Sequence, residues 1–217
     1  MDIRRSHIVS SWKFFLAVLI AVPLLTYGIV HVLEHKFGRL PVYAGTTIVN
    51  SEAKELVSLP DFSFQDQDGQ TITNAIMKDK IVVANFFFTS CPKVCPQMME
   101  QLQRVQNATG DSVIIMSFTV DPKRDTPQRL HAYSLQYDVL KPRWKLLTGD
   151  KKSLYLFARK GLYITATDGD GGETDFIHSD RLVLLDNLQR IRGFYSGTSV
   201  KEVDQLLSDI KKLQHEL

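Results

Sequence analysis

Hydrophobic and polar positions fall along this chain in blocks that read as separate elements. Phe14 to Leu33 is almost wholly apolar and carries no Asp, Glu, Lys or Arg. About 20 such residues cross a bilayer as a helix, and a membrane helix tolerates the internal Pro23 and Gly28 better than a soluble one does. Gly38 to Ser58 is mixed and holds Pro41 and Gly45, as a tether would. Phe62, Phe64 and Ile72 flank Asp66-Gln67-Asp68-Gly69, a hairpin pattern. Ile81 to Phe88 and Ser112 to Val120 are short, continuous apolar runs rich in β-branched and aromatic residues, which predict buried strands. A short strand is expected at Lys145 to Leu147 and a hairpin at Arg181–Asp186 and Ile191–Tyr195 around Asn187.

Helical spacing marks the segments between. Met98, Leu102 and Val105 predict a helix over Gln97–Val105. Thr126 followed by Pro127 reads as an N-cap with proline at the first helical position, opening a helix to about Tyr137. Lys152–Arg159 is a further helix. Val203, Leu206, Leu207 and Ile210 give Val200–Leu213 an apolar stripe. Asp168-Gly169-Asp170-Gly171-Gly172 lacks the spacing and closing Glu of an EF-hand and reads as a mobile turn. Strands alternating with helices and closed by a hairpin predict an α/β sandwich with a mixed sheet. The expected organisation is a short cytoplasmic N-terminus (1–13), a transmembrane anchor (14–33), a tether (34–58) and one folded domain (59–217).

Composition changes this picture little. The chain of 217 residues is 44% hydrophobic and 23% charged with a net charge of +2, which gives bulk nucleic-acid binding no support. Arg4, Arg5 and Lys13 precede the apolar span, and Lys36 and Arg39 follow it, a slight bias toward a cytoplasmic N-terminus. A cleaved signal peptide competes with an uncleaved anchor, but the span is long for a signal core and no small-x-small site follows closely.

The candidate chemistry lies in the only two cysteines, Cys91 and Cys95, at a strand-to-helix turn. Free N–H groups and the helix dipole there favour an anion, so a thiol should be activated as thiolate. The spacing suits a metal held between the sulfurs as well as a reversible disulfide between redox-active thiols. His178, just before the terminal hairpin, offers an imidazole that would complete a Cys₂His set suited to copper, with zinc also possible. His131 reads as exposed on its helix, and His7, His31, His35 and His215 fall in the anchor, tether and terminus.

Four segments in order carry a resemblance. Cys91-Pro92-Lys93-Val94-Cys95-Pro96, Val120-Asp121-Pro122-Lys123-Arg124-Asp125-Thr126-Pro127, Leu147-Thr148-Gly149 and His178-Ser179 make the chain similar to the Sco/SenC family. That family comprises membrane-anchored, thioredoxin-like copper-binding proteins that assist cytochrome c oxidase assembly. The resemblance covers Leu59 to the C-terminus and departs at Ile177, where the family often has Asp. It implies a thioredoxin-like sandwich, with Cys91, Cys95 and His178 as ligands of one copper, Cu(I) or Cu(II), and with Asp121 and Asp125 near the site. It implies delivery of copper to the dinuclear copper centre of the oxidase, or preparation of that centre's cysteines, with thiol-disulfide oxidoreductase activity as the alternative. The expected partners are the copper-carrying oxidase subunit, other copper chaperones or thiol reductases, and the membrane, with no nucleic acid. The expected location is the bacterial plasma membrane, single-pass, with the domain on the periplasmic side; the mitochondrial inner membrane is the second reading. A general thioredoxin-like oxidoreductase fits less well, because no proline follows Pro142 to supply the cis-proline of thioredoxins.

Overall fold

The computed structural model describes residues 3–49, 59–164, 172, 177 and 179–216. The chain divides into two compact units, Met1–Arg39 and Leu40–Leu217. The first is helix α1, Ile3–Phe37, with Pro23 inside it. Thr26 donates its hydroxyl to the carbonyls of Val22 and Pro23 at 2.9 and 3.0 Å, a local partner for backbone oxygens beside the proline. Every described side chain from Phe14 to Val30 is exposed. Among the described residues no helix is long and apolar enough to cross a membrane; the described side chains of α1 stop at Val30, short of the span to Leu33 expected from the sequence.

Among the described residues the second unit is built on nine strands: β1 (Val42–Ala44), β2 (Thr47–Val49), β3 (Ser63–Asp66), β4 (Thr71–Thr73), β5 (Ile81–Phe87), β6 (Val113–Thr119), β7 (Trp144–Thr148), β8 (Arg181–Leu185) and β9 (Ile191–Ser196). They form one sheet in the order β2-β1-β9-β8-β5-β6-β7-β3-β4. Only β5–β6 and β6–β7 pair in parallel; the other neighbours are antiparallel, so the sheet is mixed. Helices α2 (Val94–Ala108) and α3 (Pro127–Gln136) connect the parallel strands, α4 (Lys151–Leu156) follows β7, and α5 (Val200–Glu216) closes the chain.

Every residue of β5 and β6 is buried, as strands covered on both faces must be. One face packs Val83, Phe87 and Ile115 against Met98 and Leu102 of α2, Leu130 of α3 and Leu206 and Ile210 of α5. The other packs Ala84, Phe86 and Phe118 against Leu154 of α4, Phe157 beyond it and Phe62 and Phe64. Phe118 and Phe157 lie 5.0 Å apart, as do Phe62 and Phe157. The mixed α/β sandwich expected from the sequence is therefore present, and Thr126 caps α3 by accepting from the Arg129 N–H.

Three expectations need adjustment. The stretch read as a tether carries the hairpin β1–β2, turning at Gly45 with φ +67°. Tyr43 of β1 pairs with Ile191, which joins the hairpin to the sheet. Residues 50–58 lie outside the described residues. α2 begins at Val94 rather than Gln97, because Pro96 falls in the first turn, where its missing N–H has no helical acceptor to lose. The helix read over Lys152–Arg159 is α4 continued by a wider turn, Phe157–Gly161. Of the loop 168–172, only Gly172 is described.

Candidate metal centre

β5 ends beside β6, with Val120 N–H donating to the Phe87 carbonyl at 2.9 Å. The chain then turns, Cys91 N–H bonding the Phe88 carbonyl at 3.2 Å, and enters α2. Both cysteines are free thiols; Cys91 is half-buried and Cys95 buried. Cys91 precedes the helix and Cys95 is its second residue. Lys93 at the N-cap gives no side-chain hydrogen bond, and no acidic residue lies in the first turn. The Cys91 Sγ takes that role, accepting the Cys95 N–H at 3.3 Å.

This geometry separates the two thiols electrostatically. Burial alone would raise the Cys91 pKa, but the N–H of Cys95, the Cys95 thiol and the N–H groups of Lys93 and Val94 together bring it below the ordinary thiol value. Burial pushes Cys95 up to about 12, and the neighbouring Cys91 adds to the shift. The same turn thus shifts one thiol toward the thiolate and its neighbour toward the protonated form.

The pair opens into a cavity of about 470 Å³. Phe86, Phe88, Pro92, Val94 and Val120 give it an apolar wall, and Ile177, Ser179 and Asp180 form the side toward β8. His178 lies outside the described residues, but both of its chain neighbours line the cavity that holds the cysteines. Among the described residues no group of three His, Cys, Asp or Glu is placed to hold a metal ion; the described donors are the two sulfurs.

The two aspartates differ. Asp125 is 1% exposed, and its carboxylate accepts from Thr89 N–H at 3.1 Å and from the hydroxyls of Thr89 and Thr119, each at 2.5 Å. Arg129 stands 3.8 Å from the same carboxylate and donates to the Thr89 hydroxyl at 2.6 Å. Asp125 therefore ties the cysteine loop to the end of β6. Asp121 instead faces Arg124, at 3.7 Å; neither aspartate is among the cavity's described lining residues. His131 meets Asp68 at 3.2 Å, away from the cysteines. Thr89 and Thr119 escaped the reading from sequence; the available signal was an isolated threonine directly after, or within, an apolar run.

A mixed α/β sandwich carrying two thiols at a strand-to-helix turn, one with its pKa lowered and one with its pKa raised, defines a thioredoxin-like dithiol protein. More specifically, the chain belongs to the SCO1/SenC family, whose sequence profile matches residues 50–215. It is 32% identical over 154 residues to the SCO1 protein homolog of Bacillus subtilis, covering 69% of this chain and 79% of that one. Among solved structures it resembles BsSco, described through a disulfide switch and as a member of the Sco family of cytochrome c oxidase assembly proteins. That match has a TM-score of 0.61 and 26% identity, covering 73% of this chain and 94% of that one. It also resembles Bradyrhizobium japonicum ScoI with copper bound, with a TM-score of 0.57 and 25% identity, covering 73% of this chain and 98% of that one.

Proposed function

We propose that this chain is a membrane-anchored copper-binding protein that takes up one copper through Cys91, Cys95 and His178. It delivers that copper to the dinuclear centre of cytochrome c oxidase, or prepares the centre's cysteines. The observation that carries the reading is that Ile177 and Ser179 line the cavity into which both sulfurs open. The donor set fits: two thiolates favour Cu(I), and an imidazole extends the site to Cu(II). When bound, the metal supplies a centre that accepts these soft donors and can be passed to similar donors on a partner. Ligation needs both sulfurs deprotonated. Cys91 is already disposed to that state, and Cys95 must release its proton on uptake. The apolar wall of the cavity limits water around the sulfurs.

Residues 14–33 are proposed as the anchor, with the domain on the extracytoplasmic side of a bacterial plasma membrane. Alkaline carbonate should leave the chain in the membrane fraction; release by salt alone would contradict this.

The site is tested by titrating the purified full chain and His178→Ala with Cu(I) and Cu(II). One equivalent of each ion should bind the unaltered chain, and His178→Ala should lose Cu(II) affinity far more than Cu(I). An unchanged Cu(II) affinity and spectrum would remove His178 from the site.

The half-buried Cys91, its pKa lowered, beside Cys95, its pKa raised, also favours a second reading, as a thiol-disulfide oxidoreductase. Cys91 thiolate would attack a partner disulfide, expelling one partner sulfur. Cys95 would then lose its proton and attack Cys91, releasing the partner as dithiol and leaving a Cys91–Cys95 disulfide. Failure of the oxidised form to appear under mild oxidant would remove this reading.

A further inference from the structure

The segment that approaches β8 is fastened in a way the cysteine chemistry does not require. Asp180 Oδ2 accepts from the Ser196 hydroxyl at 2.5 Å and from the Thr198 hydroxyl at 2.9 Å. Its main-chain carbonyl accepts the Gly197 N–H at 2.7 Å. The two hydroxyls are themselves 3.0 Å apart. The Ser196 N–H is held in turn by Glu202 of α5 at 2.7 Å.

Gly197 is pressed into this staple. A Cβ there would come within 2.7 Å of Met98 Cγ and 2.9 Å of the Asp180 carbonyl oxygen. Met98 is fully buried on α2, three residues after Cys95. One glycine therefore sits between the β8 approach and the helix that carries the buried thiol, close enough to exclude a methyl group. On the other side of position 178, Ile177 is 4% exposed in the core, and Ser179 accepts the Arg181 N–H at 3.1 Å. Ile177, Ser179 and Asp180 all line the cysteine cavity.

We propose that Asp180 is a positioning residue for His178: bonded to the Ser196-Gly197-Thr198 turn, it fixes the chain two residues after His178, beside the cavity that holds the two cysteines. This rests on the reading of His178 as a ligand. Asp180 acts through the backbone and holds no metal itself. Two hydroxyl donors converging on one carboxylate oxygen resist rotation of the segment better than a single bond would, and partners that orient a metal ligand matter for affinity about as second neighbours of other metal sites do, roughly 10–100-fold.

The test uses the full chain in detergent, with Asp180→Ala, Asp180→Asn, Ser196→Ala, His178→Ala and the Asp180→Ala/His178→Ala double variant. Cu(II) affinity, the Cu(II) charge-transfer and electron paramagnetic resonance spectra, Cu(I) affinity, and hydrogen exchange over 177–181 in the metal-free chain are measured. Asp180→Ala should lower Cu(II) affinity on the order of 10–100-fold, move the spectra toward those of His178→Ala, speed exchange over 177–181, and leave Cu(I) affinity nearly unchanged. Asp180→Asn, whose amide oxygen still accepts both hydroxyls, should restore most of the spectrum. The double variant should bind Cu(II) no more weakly than His178→Ala, because both changes remove one function. If Asp180→Ala does not fold, Ser196→Ala, which removes one of the two hydroxyl donors, should show the same spectral shift at smaller size. Wild-type spectra in Asp180→Ala and Ser196→Ala, or losses that add in the double variant, overturn the positioning role while His178→Ala still confirms the site. Wild-type Cu(II) binding in His178→Ala overturns both.

Discussion

The two ends of the central strands make opposite use of polar groups. β8 runs antiparallel to β5, with Val82 opposite Leu185 and Asn85 opposite Leu182, so Asp186 and Arg192 lie at the end away from the cysteines. There Arg192 is 3% exposed. Its guanidinium donates to Asp186 at 3.0 Å, to Glu216 at 3.2 Å and to the carbonyls of Leu40 and Pro41 at 2.8 and 3.1 Å. Asp186 is also capped by Leu188 N–H, Arg190 N–H and the Arg190 side chain. The cavity beside this cluster is about 150 Å³, against about 470 Å³ at the cysteine end. At one end every charge is answered by the chain itself, which fastens the first residues of the domain to its last helix. At the other, among the described residues, two soft donors with backbone N–H groups and each other as hydrogen-bond partners face a larger cavity. Burial of polar groups marks structure where partners are complete and chemistry where they are left to an incoming species.

The largest expected effect breaks the cysteine end alone. Cys91→Ser or Cys95→Ser should lower Cu(I) affinity by more than about two orders of magnitude, beyond what loss of a ligand's neighbour costs. Competition with a chromogenic chelator measures this, and the Cys91→Ser unfolding midpoint should stay close to that of the unaltered chain. The converse change, Arg192→Ala, should destabilise the domain by about 1–3 kcal/mol, since the Leu40 and Pro41 carbonyls lose their donor and buried Asp186 keeps only Arg190 as its cation. Chemical denaturation reports the loss, while copper affinity in the folded fraction should be unchanged. An Arg192→Ala variant that folds as stably as the unaltered chain but binds copper poorly would reverse the assignment of the two ends.

Asp125→Ala tests the link between loop and sheet. Three donors lose their acceptor, which should cost about 1–3 kcal/mol and on the order of tenfold in copper affinity as the Cys91 loop loosens. Calorimetry and the same chelator competition separate the two.

The smallest effect is in pH. Alkylation of the metal-free chain should modify Cys91 first, with a midpoint below that of an ordinary thiol, and Cys95 only as pH approaches about 12. Linkage gives the two thiols opposite signs. The Cys95 contribution to stability is present below the ordinary thiol pKa and is lost as pH rises toward about 12. The Cys91 contribution is present above the ordinary value and is lost as pH falls through its lowered one. Mass spectrometry of alkylated peptides across pH follows both.

Much of this contrast was legible in the sequence at the cysteine end and little at the other. Apolar runs announced β5 and β6 because strands buried on both faces have no polar side to confuse the period, and Cys91 and Cys95 stood out as soft donors at the turn that follows. Thr126-Pro127 marked the start of α3 because capping is local chemistry. Hairpin β1–β2 was missed: its strands have three residues each, and its place is set by pairing with β9, some 150 residues away in sequence. Arg192 likewise reads as an ordinary polar strand position; only the convergence of Leu40, Pro41, Asp186 and Glu216 makes it a buried cation. Asp180 gave no signal because its partners, Ser196 and Thr198, lie across a hairpin. Asp125 was placed near the site by resemblance, and its buried bonds to Thr89 and Thr119 explain the physical need for a carboxylate there.

The central claim is that Cys91, Cys95 and His178 together hold one copper, and X-ray absorption of the copper-loaded full chain addresses it most directly. One copper per chain is expected, with two sulfur scatterers and one imidazole in the Cu(II) form, the imidazole signal disappearing in His178→Ala. A copper shell of oxygen and nitrogen without sulfur, or a shell unchanged when Cys91 and Cys95 are both replaced by serine, would contradict it.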